Sequence, residues 1–151
     1  MSQSLSNVIV HIVFSTKRRQ PFLNDSSQRT ALQCYLARVS AELGCPAIAV
    51  GGVEDHVHVL ARQARTVTLA GWIRELKRAS AFWLKRRPHA PEGFQWQLGY
   101  GAFSVSQSQT EAVRRYIIRQ SAHHADLNFQ DELRSLLSRY QIPYDERYLW
   151  D

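Results

Sequence analysis

Apolar positions change period several times along the chain, and each change predicts an element. Asn7–Thr16 (NVIVHIVFST) is apolar and β-branched, a good central strand. Asp25, Ser26 and Ser27 offer helix-capping oxygens. Beyond them Leu32, Tyr35, Leu36, Val39 and Leu43 recur at helical spacing until Gly44, a suitable C′ residue. Pro46–Gly52 and His56–Arg62 read as two strands joined by a turn from Gly51-Gly52 to Asp55, with antiparallel pairing the simplest outcome. Thr68–Arg86 is a second helix, with Leu69, Trp72, Ile73, Leu76, Ser80 and Trp83 clustered on one side at about 100° per residue. Its opposite side carries Arg74, Arg78 and Lys85, flanked by Lys77. A loop over Pro88–Gly93 leads to short strands at Phe94–Gln97 and Ala102–Ser106. Gln109–His124 and Asn128–Tyr140 follow as helices, the second facing Phe129, Leu133, Leu136, Leu137 and Tyr140 inward. The aromatic ending IPYDERYLWD suggests a tail that docks against something.

The order β-α-β-β-α-β(β)-α-α predicts the α+β class. It contains the elements of a ferredoxin-like split βαβ, with helices covering one face of an antiparallel sheet. No repeat, low-complexity tract or linker interrupts it, so residues 1–151 read as one domain. Hydrophobic content of 44% and charged content of 21% suit a globular chain and leave this picture unchanged.

Charge does change it. A formal net charge of +6 favours a polyanionic partner such as nucleic acid, or less readily an acidic membrane surface. The ridge of Arg74, Arg78 and Lys85, and a patch of Lys17, Arg18 and Arg19 after the first strand, are where phosphate-backbone contact is expected. The amino terminus lacks the marks of a signal peptide. No apolar run approaches the roughly 18–20 residues of a membrane helix. Cys34 and Cys45 fall in no metal or redox spacing and read as reduced, buried thiols. The expectation is a cytoplasmic protein.

The stretch EDHVHVL carries the chemistry. Residues two apart on a strand share a face, so His56 and His58 project side by side, able to clamp one divalent ion. The alternative is two half-buried histidines bonded to backbone groups. On the third helix Tyr116 and Gln120, four residues apart, lie on the same side as the apolar Val113 and Ile117. A Gln facing inward needs a partner, because an unpaired buried amide costs about 1–3 kcal/mol. Its carbonyl oxygen is a possible third ligand. Two imidazoles and one amide oxygen would leave positions open for phosphate oxygens, which suits Mg²⁺ or Mn²⁺ better than a closed zinc site. Tyr116 then reads as the nucleophile, a phenol that needs its target polarised or its proton accepted.

These residues sit in blocks that resemble one family: the HUH single-tyrosine transposases of the smallest bacterial insertion sequences. The blocks are HIVFSTKRRQPF, GGVEDHVHVL, WQLGYGAFSVS, VRRYIIRQSAHH and YDERYLWD, in that order over nearly the whole chain. The resemblance implies an enzyme that binds hairpins near transposon ends as single-stranded DNA. A tyrosine attacks the scissile phosphate, leaving a 5′-phosphotyrosine link and a free 3′-OH that can later rejoin strands. Carried onto this chain it implies His56 and His58 as the paired metal ligands, Gln120 as the third and Tyr116 as the nucleophile, in a ferredoxin-like homodimer. The family includes domesticated relatives associated with repeated extragenic palindromes, and the motif alone does not separate the two.

Asp55 is placed to orient an imidazole, and His123 and His124 either support the site or form a polar helix end. Two rival readings stand beside the transposase. One is a non-catalytic RNA-binding module that stacks bases on Tyr100 and Phe103 of GYGAF, although Leu98 and Ala102 depart from that pattern. The other is a metal-dependent phosphodiesterase using activated water, with Tyr116 structural.

Overall fold

The computed structural model describes residues 2–120 and 127–151. The elements run β1 (Ile9–Ser15), α1 (Ser26–Glu42), β2 (Ala47–Gly52), β3 (His56–Arg62), α2 (Leu69–Lys85), β4 (Gly101–Val105), α3 (Thr110–Ile118), α4 (Phe129–Arg139) and α5 (Glu146–Leu149). The strands form one antiparallel sheet in the order β2-β3-β1-β4, the ferredoxin-like arrangement.

Helix starts follow their caps. Asp25 accepts from the Ser27 and Gln28 amides, Thr68 from Gly71 and Asn128 from Asp131. Gly44, at φ +80°, ends α1 in the left-handed region that favours glycine.

Two stacked layers lie on opposite faces of the sheet. Val10, Ile12 and Phe14 of β1 and Val57, Val59 and Ala61 of β3 pack against Leu32, Leu36 and Val39 of α1 and Trp72, Ile73 and Leu76 of α2. The alternate residues Ile9, Val13 and Leu60 pack instead with Ile117 of α3 and Phe129, Leu133, Leu136 and Leu137 of α4. Helices therefore cover both faces, not the one expected, which is why all of β1 is buried. The tail docks as predicted. Leu149 and Trp150 lie against the α4 layer, and the Gly99 amide donates to the Asp151 carbonyl at 3.0 Å.

Several expectations need correction. Gly51 and Gly52 belong to β2, opposite His58 and Val57, so the turn is shorter than the pattern suggested. Phe94–Gln97 forms no strand; it touches the end of β1 through one bridge, Thr16 to Trp96. Its alternation reflects burial of Phe94 and Trp96 in an aromatic cluster with Phe14 and Phe22. Cys45 is buried, but Cys34 is exposed because it lies off the apolar stripe of α1.

Gly51 decides how closely α3 can approach the sheet. A Cβ there would strike the carbonyl oxygen of Ile117, the residue after Tyr116, and come within 2.9 Å of its Cγ2. Gly51→Ala is therefore expected to cost about 1–3 kcal/mol of stability and to displace the helix carrying Tyr116. Thermal unfolding reads the first effect, and wild-type stability in this variant would contradict the tight approach.

Candidate active site

Antiparallel pairing sets β3 beside β1 with Ser15 opposite His56 and Val13 opposite His58. Both histidines emerge on the α3–α4 side and are fully buried. Each is held at Nδ1: His56 lies 2.7 Å from Asp55 Oδ1, and His58 lies 2.7 Å from Nε2 of His11 on β1. Their Nε2 atoms converge on one carboxylate oxygen, Glu132 Oε1, at 3.2 Å for His56 and 2.8 Å for His58. The other oxygen, Oε2, accepts the hydroxyl proton of Tyr116 in a short hydrogen bond. The Tyr116 ring stands edge-on to His58 at 5.8 Å, so Tyr116 and the histidine pair meet within one chain.

Glu132 was not foreseen. The sequence holds its signal: it follows Phe129 by three residues and precedes Leu136 by four, so it occupies the apolar face of α4. A carboxylate there, 1% exposed, is costly unless paired, and the two imidazoles and the phenol pair it. Gln120 is also buried, and its Oε1 makes no hydrogen bond among the described residues. His123 and His124 lie outside the described residues.

Metal ligation fits this donor set. One ligand atom from each of His56, His58 and Glu132 lies within 4.8 Å of the others, all from buried residues, and the Gln120 oxygen is a further buried acceptor.

The charges are set by the same contacts. Burial alone would lower the His56 pKa, but its bonds to Asp55 and Glu132 and their negative charges outweigh that and raise it to about 9. Burial and the neighbouring Glu132 carboxylate push the Tyr116 phenol well above its usual range, against the smaller opposing pull of Gln120 and Arg139. Burial, with His58 alongside, drives His11 down to about 3, so it stays neutral.

A folded-state pKa for His56 above its ordinary 6.5 means its stabilising effect on the metal-free protein is complete below that pH. That contribution is lost as pH rises through about 9. A metal ion at His56 Nε2 must also displace a proton. A divalent ion such as Mn²⁺, were it to bind there near neutral pH, would release about one proton, with affinity rising up to the His56 pKa. Calorimetry in two buffers of different ionisation heat reads this. Flat affinity with no proton release would contradict it.

A cleft of about 320 Å³ opens beside Tyr116 and Glu132 and is also lined by His11, Arg139 and Tyr140. Away from it the basic residues are unequal. Lys17, Arg18, Arg74, Arg78 and Lys85 are exposed. Arg78 forms a two-pronged pair with Glu75, and the Arg19 guanidinium lies 5.5 Å over the Trp150 ring. Lys77 turns inward, donating to the carbonyls of Gln97, Leu98 and Gly99, and burial lowers it to about 8. Phe103 is 2% exposed and packs on Tyr140 at 4.9 Å, so the sheet face of the RNA-binding reading is closed to bases. Among the described residues no helix is long and apolar enough to cross a membrane.

A profile of the family described as "Transposase IS200 like" matches residues 4–120. No curated protein matches the chain. Solved structures share the fold, among them the following two. A crystal structure from Deinococcus radiodurans R1, described as a candidate transposase, is 24% identical at a TM-score of 0.57, covering 80% of this chain and 98% of its own. A REP-associated tyrosine transposase bound to a REP hairpin is 13% identical at a TM-score of 0.60, covering 84% of this chain and 76% of its own. With that profile spanning most of its length, the chain belongs to the family of IS200-like transposases.

Proposed function

We propose that this transposase, acting as one domain per chain and as a homodimer, cuts and rejoins hairpin-bearing single-stranded DNA through Tyr116. One observation carries the reading: the Tyr116 hydroxyl and the Nε2 atoms of His56 and His58 meet on the same buried carboxylate, Glu132. His56 and His58 would hold a divalent ion, Mg²⁺ or Mn²⁺, with Glu132 or Gln120 completing the protein ligands. Such an ion, when bound, polarises a phosphate oxygen and offsets developing negative charge.

The raised pKa keeps Tyr116 a neutral phenol at rest, so its proton needs an acceptor, and the Glu132 carboxylate already accepts its hydrogen bond. As the proton passes to Glu132, the phenolic oxygen bonds to the scissile phosphorus. The bond to the 3′ oxygen breaks, and that oxygen takes a proton from solvent water to become a free 3′-OH. The 5′-phosphate remains on Tyr116. In the reverse step a 3′-OH attacks that phosphotyrosine and gives up its proton to solvent, while Glu132 returns its proton to the departing phenol. The exposed Lys17, Arg18, Arg74, Arg78 and Lys85 would follow the DNA backbone, with Arg19 at the edge of that surface. The hairpin held by the REP-associated relative supports hairpin DNA as the substrate class.

The test is a panel of labelled single-stranded hairpins incubated with the protein and Mg²⁺ or Mn²⁺, then run on a denaturing gel. A metal-dependent protein–DNA adduct is expected. Cutting without an adduct would instead indicate a hydrolase using activated water. A panel that binds but is never cut would overturn the catalytic reading.

A further inference from the structure

We propose that His11 is a positioning residue that holds the imidazole of His58 so that its Nε2 faces the ion site. This rests on the metal reading above and adds to it a residue that no earlier step required.

Position comes first. His11 sits in the centre of β1, between Ile9 and Val13 on the same strand face, and is 3% exposed. It is diagonal to His58, whose directly opposed neighbour is Val13. Diagonal neighbours on a sheet are within reach of long side chains. The layer around it is largely Ile, Val, Leu and Phe, with the Tyr116 ring edge-on at 6.5 Å. A polar side chain needs a partner in such a place. The partner of His11 is His58, with Nε2 at 2.7 Å from Nδ1 and the rings stacked at 5.0 Å and 26°.

An imidazole can rotate about its bond to Cβ, and a donor–acceptor contact at one nitrogen fixes where the other points. His58 held at Nδ1 by His11 has its Nε2 aimed at Glu132 Oε1. Asp55 does the same for His56. The two holders differ in kind: Asp55 is a carboxylate at the rim, whereas His11 is an imidazole in the sheet interior. A neutral imidazole offers one donor and one acceptor nitrogen and adds no positive charge to repel a cation.

The test uses the full-length protein and direct Mn²⁺ binding by calorimetry, with no DNA present. His11→Phe keeps the ring and its packing but removes the nitrogen; His11→Gln restores a hydrogen-bonding group of similar reach. We expect His11→Phe to weaken Mn²⁺ binding by about 10- to 100-fold while the metal-free protein still folds, and His11→Gln to recover most of the affinity. Wild-type affinity in His11→Phe would overturn the proposal, as would equal losses in both variants. Should His11→Phe fail to fold, the wild type decides through nitrogen–nitrogen scalar coupling across the hydrogen bond in ¹⁵N-labelled protein. A coupling between His11 Nε2 and His58 Nδ1 supports the proposal, and its absence overturns it. If the wild type binds no Mn²⁺, the metal reading falls and takes this inference with it. If the wild type and His11→Phe bind equally, only this inference fails.

Discussion

The Tyr116→Phe protein is expected to bind hairpin DNA as the wild type does and to cut none of it. The substitution keeps the ring that stands against His58 and His11, so the wall of the site remains. It removes one oxygen, the atom that donates to Glu132. If that oxygen is the nucleophile, no neighbouring group can replace it, and cutting should fall by at least about 10⁴-fold, equivalent to about 5.5 kcal/mol of barrier. Stability should change modestly, because the partner oxygen belongs to a carboxylate that also contacts two imidazoles. Anisotropy with a labelled hairpin measures binding, and a denaturing gel measures cutting. Cleavage within tenfold of wild type would remove Tyr116 from the chemistry.

The His56→Ala protein should lose cutting for a different reason, with a second signature in stability. Loss of a metal ligand removes several kcal/mol of charge stabilisation at the phosphate, a fall of about 10²- to 10⁴-fold. Whatever cutting remains should no longer respond to a chelator. The same change deletes a buried imidazolium that sits between Asp55 and Glu132. Removing one partner from a buried charge cluster typically costs about 3–5 kcal/mol, so the metal-free variant should melt well below the wild type. Chelator-sensitive cutting at the wild-type rate would contradict the metal role of His56.

These expectations draw on residues that were legible to different degrees. The capping oxygens of Asp25, Thr68 and Asn128 and the β-branched run around His56 and His58 are local signals, and they mark their elements closely. The region Phe94–Gln97 misled because alternation reports burial, and two aromatic side chains can be buried without a ladder of backbone pairs. His11 was hidden for the opposite reason. Both faces of β1 are covered, so the strand has no polar side against which an inward histidine would stand out. Glu132 sat in plain view on an apolar helix face, but its histidine partners lie more than seventy residues away, on a strand paired only in the folded sheet. The paired histidines and Tyr116 stand out in the sequence because residue type and short spacing mark them, and the fold does bring them together. Their convergence on Glu132 depends on α4 folding back over the sheet, which no local pattern encodes.

One measurement bears on the central claim most directly: locating the covalent bond. Wild-type protein is incubated with the hairpin that gives an adduct and Mn²⁺, the complex is digested with nuclease and trypsin, and the modified peptide is sequenced by mass spectrometry. Trypsin cuts after Arg115 and Arg119, so the account predicts a nucleotide phosphate on the peptide Tyr116–Arg119, bonded to the Tyr116 oxygen. A phosphate on another residue, or a cut DNA carrying no protein at all, would contradict it.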